Sequence, residues 1–233
     1  MKRSDAMFSW FQGKVTGSEG LERMRAEFGQ MLDAGRHVFD LAANALLGGT
    51  DVEVIRQDIF DTDERINQSE RQIRRSLVVH ATVHGSTSFP SCLVLMSVVK
   101  DAERVGDYAK NIFDLAELRS SELDDGLQTD LVQLKGRISQ LMANCRMAFD
   151  TEDADESRVL IREAEQIEDH CDDRITQIIR SGKQVDSNAV CALSYRYFKR
   201  TASHVRNVLT SVVQPIDLLD YTDSEASSPS PEV

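Results

Sequence analysis

The four prolines of this chain stand at positions 90, 215, 229 and 231, so residues 1–89 and 91–214 run without the strongest helix breaker. An all-β chain turns every ~8–12 residues and needs punctuation at each turn. Two proline-free stretches of this length point to long helices instead, and the apolar residues recur at three- and four-residue steps. The spacing predicts a first helix from about Glu19 to Leu47, buried along Met24, Phe28, Met31, Leu32, Val38, Phe39, Ala42, Ala45 and Leu46. Gly48-Gly49 stops it. Thr50 is then expected to cap a second helix over 51–83, with Val54, Ile55, Ile59, Ile66, Ile73, Leu77 and Val78 turned inward. Residues 85–90 read as a turn, and a third helix over 91–118 buries Leu95, Val98, Val99, Ala102, Val105, Ala109, Ile112 and Phe113.

Asp124-Asp125-Gly126 breaks the pattern. Three more helices follow, near 127–149, 153–181 and 186–213, with Gly182 and Asp186 as punctuation between the last two. A shift of 101 residues matches Gly35-Arg36 to Gly136-Arg137, and Glu64 and Ile66 to Glu165 and Ile167. In the third helices a shift of 96 matches Arg104 to Arg200, Ala109 to Val205 and Asn111 to Asn207. The lost five residues fall in a hairpin, where deletion is tolerated. The reading is all-α: two tandem antiparallel three-helix bundles built by duplication, over 19–123 and 127–217. Residues 1–18 and the acidic, Ser/Pro-rich end from 218 to 233 are expected to be disordered.

With 39 acidic against 27 basic side chains the net charge is −12, which argues against a sequence-independent nucleic-acid binder or an anionic-membrane binder. No apolar run approaches the ~20 residues needed to span a bilayer, and Ala6–Phe11 is too short and aromatic for a signal-peptide core. Cys92, Cys145, Cys171 and Cys191 form no CxxC pair and read as packed thiols, so the expected location is the cytoplasm.

The chemistry-bearing segment is Ser97–Asp114. Glu103 and Asp107 are four apart, so their carboxylates share one helix face, and Asn111 continues the stripe. Like charges at this spacing repel by a few tenths of a kcal/mol unless a cation or base offsets them. The bland alternative is a solvated face balanced by Lys100, Arg104 and Lys110. Enzymatic readings find little support. No histidine has a glutamate three residues before it, as di-iron bundles require, and neither a GxxxxGK loop nor a GxSxG turn occurs.

Asp101-Ala-Glu-Arg-Val-Gly-Asp-Tyr-Ala-Lys-Asn-Ile112 resembles the signature helix of the PhoU family, an ERIGD pattern followed by NI. Asp61–Glu70 is similar to that family's second-helix pattern, and the duplicated layout covers about Gly20 to Asp217. The resemblance implies metal ions on the acidic stripes, and the matching positions here are Glu103 and Asp107, with Asp63, Asn67 and Glu70 on the facing helix and Asn111 and Arg104 beside them. The metal could be iron, zinc, magnesium or manganese. An exposed helix with Arg65, Arg71 and Arg74 as ion-pair partners is the alternative for the second-helix residues. The second half departs from the pattern, since Glu103 aligns with Lys199, Asp107 with Ser203 and Tyr108 with His204, so at most one such site is expected. Glu165, Glu168 and Asp172 are expected to be neutralised internally by Lys199, Arg200 and Arg206.

By the same resemblance the chain is expected to be a non-enzymatic regulator or adaptor of phosphate transport. Its implied partners are a phosphate transporter component and a sensor histidine kinase, touching the membrane only through them, with a second copy as a homodimer. An accessory subunit of another phosphate transporter is the alternative within binding proteins, and a metal-dependent helical-bundle enzyme the alternative outside them.

Overall fold

The computed structural model describes residues 18–119, 122–181 and 186–221. Six helices account for nearly all of it: α1 (Ser18–Leu46), α2 (Val52–His84), α3 (Phe89–Leu118), α4 (Asp125–Thr151), α5 (Ala154–Arg180) and α6 (Asp186–Val213). Among the described residues 91% are helical and no strand occurs.

Helix boundaries follow local chemistry. Asp51, not Thr50, caps α2: its side chain accepts from the Glu53 backbone N–H. Asp124 and Asp153 do the same for α4 and α5. Gly85 ends α2 at φ 69°, a conformation that costs a glycine little. Helix α3 begins earlier than the expected turn allows, because Pro90 sits in its first turn, where a missing N–H loses no helical bond.

Helices α1, α2 and α3 pack on one another as one antiparallel bundle, and α4, α5 and α6 as a second. The bundles meet mainly along α3 and α6, with α1 against α4, and their interiors merge into one apolar core. Aromatic pairs fasten the seam: Phe28 meets Phe149 at 4.9 Å between centroids, and Phe39 meets Phe198 at 5.4 Å. Each such edge-on pair adds about 0.5–1.5 kcal/mol beyond burial. Two expected core positions on α2 are corrected, since Val54 and Val78 are 76% and 59% exposed. Each extends the apolar run by one residue beyond the arc that faces α1 and α3, and a helix turns 100° per residue.

Of the termini expected to be disordered, residues 1–17 and 222–233 lie outside the described residues, as does Gly182. Ser18 already belongs to α1. At the other end Leu219 is buried and the Asp220 N–H donates to Thr210 Oγ1, so the expectation for residues 218–221 is corrected.

A polar node ties the second bundle together. Tyr195, fully buried on α6, donates to Asp130 Oδ2 on α4 at 2.5 Å, while His170 and Arg174 of α5 reach the same carboxylate at 3.1 and 3.3 Å. Burial works against the Asp130 charge, but the hydrogen bonds from Tyr195 and His170 and the charges of His170 and Arg174 outweigh it and hold the carboxyl below its ordinary 3.8. An acid with a depressed folded pKa stabilises the fold above its unfolded value and loses that contribution as pH falls through the folded one. Asp130→Asn is therefore expected to lower stability at neutral pH and to flatten the loss of stability below about pH 4, read by denaturant titration across the acid range.

Candidate functional site

The acidic stripe lies where α2 and α3 run antiparallel against each other. Gly106, the glycine of the ERVGD segment, permits the approach: a Cβ there would stand 3.3 Å from Ile66 Cδ1 and 3.8 Å from Asp63 Oδ1. A larger side chain would push α2 outward and separate the two acidic rows.

The structure brings all five expected ligand side chains to this seam, in two groups. In the first, the side chains of Glu70 and Glu103 are each 9% exposed, and Lys100 sits between them, 2.6 Å from Glu103 Oε2 and 3.8 Å from Glu70 Oε1. Arg74 adds a second cation to Glu70 at 2.9 Å. In the second group, Lys110 lies 2.9 Å from Asp63 Oδ2 and 3.9 Å from Asp107 Oδ1. Asn67 donates to Asp63 at 3.1 Å, and Arg104 pairs with Asp107 at 3.2 Å. Burial disfavours the Lys110 ammonium, but the hydrogen bond and charge of Asp63, with the charges of Asp107 and Glu103, prevail and raise its pKa. Asn111 is half-buried.

The face is thus balanced by bases, as the bland alternative holds, yet it is not simply solvated. Carboxylate and amide oxygens suit a hard cation in chemistry. Their placement does not: among the described residues no three His, Cys, Asp or Glu side chains converge as a metal-holding group, and ammonium groups occupy the spaces between the acids. No step here depends on a metal.

On the other flank of α3, Asp101 is buried against α6. It accepts from Asn207 Nδ2 at 2.9 Å and pairs with His204 Nδ1 at 2.8 Å. Tyr108 stacks on His204 at 5.6 Å, and Arg200 reaches both Tyr108 Oη and His204 Nε2. His204 is therefore a partnered interface histidine. Sequence reasoning missed Asp101, although His204 and Asn207 at i, i+3 on a mostly apolar helix face mark a buried polar patch needing a partner. In the second bundle Lys199 pairs with Asp172, and Arg206 with Glu168 at 2.9 Å. Arg200 goes to the α3 seam instead. Burial raises the Glu168 carboxyl against the opposing charge of Arg206.

These features define a class: a duplicated three-helix bundle whose first half carries facing acidic rows on its second and third helices. Residues 28–116, nearly all of that half, match the family model for the PhoU domain. The whole fold is similar to the crystal structure of the phosphate transport system regulatory protein PhoU from Streptococcus pneumoniae. The identity is 20%, covering 84% of this chain and 95% of that one, with a TM-score of 0.71. PhoU from Pseudomonas aeruginosa is similar at 20% identity, 84% and 96% coverage and a TM-score of 0.71. No curated protein matches the chain.

Removing one partner from a buried ion pair costs about 3–5 kcal/mol, and less where the partner reaches water. Lys100 is 37% exposed, so Lys100→Met is expected to destabilise the protein by about 1–3 kcal/mol. Adding Glu103→Gln should restore part of that loss, read as non-additive unfolding free energies in a double-mutant cycle.

Proposed function

We propose that this protein is a PhoU-like regulator or adaptor of phosphate transport and phosphate-responsive signalling, acting by docking partner proteins rather than by turnover. The observation that carries the reading is the PhoU domain match over 28–116, which contains both acidic rows. The fold likeness to a phosphate transport system regulatory protein supports it. The site chemistry agrees with docking. Asp63, Glu70, Glu103 and Asp107 are each held by a lysine or arginine, so none stands ready as a free general base. A balanced, rigid row of paired charges instead offers a partner a pattern to match by exchanging ion pairs. The partners proposed are a phosphate transporter component and a sensor histidine kinase, met in the cytoplasm, with the protein acting as a homodimer. Among the described residues no helix is long and apolar enough to cross a membrane.

A second reading, an accessory subunit of a different phosphate transporter, draws on the second bundle, where Lys199 and Ser203 replace the acids of the stripe. Affinity capture from phosphate-replete and phosphate-starved cells separates the two. The adaptor reading expects both a transporter component and a sensor kinase, with recovery that changes with phosphate. Recovery of a transporter alone favours the accessory subunit, and recovery of neither defeats both.

A divalent cation at the α2–α3 seam has to displace Lys100 or Lys110. Titration with iron, zinc, magnesium or manganese is expected to give weak binding that Lys100→Met strengthens. Glu103→Gln with Asp107→Asn should abolish it, measured as bound metal after equilibrium dialysis.

A further inference from the structure

Of the five histidines, three are held by carboxylates: His37 by Asp58, His170 by Asp130 and His204 by Asp101. His80 and His84 are not. They stand four apart at the end of α2, on one helix face, with ring centroids 4.2 Å apart and ring planes tilted by 38°. His84 is exposed, whereas His80 is only 9% exposed. Among the described residues neither ring takes part in a hydrogen bond or an ion pair; each has only the other for company. A buried polar group left without a partner costs about 1–3 kcal/mol, so the pair invites a ligand that binds ring nitrogen.

The state of the rings selects a metal ion. Burial, and then the charge of His84, hold the His80 imidazole below its ordinary 6.5, so at neutral pH it keeps a lone pair to donate. The Nδ1–Cε1 edge of His80 lies against Gly20 at the start of α1, where a Cβ would stand 2.9 Å from Nδ1. Nε2 is therefore the nitrogen turned away from α1, and the exposed His84 beside it gives an ion a way in. Two imidazoles that bind one ion at right angles, each nitrogen at about 2.0–2.1 Å, hold their centroids about 4.5 Å apart. A tetrahedral angle needs about 5.2 Å at the same bond lengths. The observed spacing lies nearer the square arrangement of Cu2+ or Ni2+, for which imidazole is a favoured ligand. The carbonyl end of α2 draws a cation to this place, and the net charge of −12 draws one to the protein.

We infer that His80 and His84 form a two-imidazole site for a transition-metal ion, Cu2+ or Ni2+, with water in the remaining positions. The site is separate from the acidic seam, since ten residues of α2, about 15 Å of helix, lie between Glu70 and His80. Two protein ligands, against the four of a closed structural site, leave the ion exchangeable. Zinc and iron bind imidazole less tightly than copper but still bind it, so their titration at the acidic seam is read in a His84→Ala background.

The probe is Cu2+, added to the full-length protein at neutral pH. Equilibrium dialysis should find about one ion held per chain, and electron paramagnetic resonance should show coupling to two nitrogens. His84→Ala alters an exposed position, and helix content by circular dichroism should not change. In that variant Cu2+ affinity should fall about tenfold or more, and the two-nitrogen signal should be lost. Cu2+ should raise the thermal midpoint of the parent protein and leave that of His84→Ala where it was, because only an ion bound to the folded state stabilises it. Glu103→Gln with Asp107→Asn should bind Cu2+ as the parent does. A parent protein that takes up no Cu2+ overturns the inference, as does His84→Ala binding it unchanged. Loss of Cu2+ in the Glu103 and Asp107 variant also overturns it, in favour of an ion held among the acids of the seam.

Discussion

Helix α3 buries a carboxylate on each of two opposite flanks, Asp101 toward α6 and Glu103 toward α2. An unpaired ionised group in either place would cost several kcal/mol, more than a marginally stable domain can carry twice. The two solutions differ. Asp101 is matched across the bundle seam by His204 and Asn207, both from the second half. Glu103 is matched within the first half by Lys100, a turn away on the same helix. Bundle association and local helix pairing therefore depend on the same thirty-residue element.

This arrangement explains why duplication has not kept the halves alike. The second half needs α6 to supply His204 and Asn207 to the seam, and Arg200 leaves its own acidic neighbours to contact Tyr108. Lys199 and Arg206 then neutralise Asp172 and Glu168 from the opposite side of α6. One third helix presents acids beside the seam, and the other presents bases. The outcome is a pair of ion-paired surfaces of different sign pattern.

Much of the fold was legible along the chain because its information is local. Helix lengths follow from where prolines, glycine pairs and aspartate caps fall, and each predicted helix lies within a few residues of its observed bounds. The core residues of α1 and α3 were readable from three- and four-residue steps. Val54 and Val78 were misread because an apolar residue fits such a pattern whether its face is covered or open. The acidic stripe was readable as a stripe, since i, i+4 spacing fixes a shared face. Its state was not, because Lys100, Arg104 and Lys110 sit at i, i+3 spacings that place them near the acids without deciding which oxygen each one takes.

The sequence by itself determined the elements, their order, the duplicated plan and the family pattern on α2 and α3, because helical periodicity and capping act over only a few residues. Tertiary structure alone decided which acids are buried, that Lys100 stands between Glu70 and Glu103, and that Asp101 finds His204 across 103 residues of chain. Those outcomes depend on how two helices approach and in what register, and Gly106 against Ile66 sets that approach. No spacing within a single helix carries that distance.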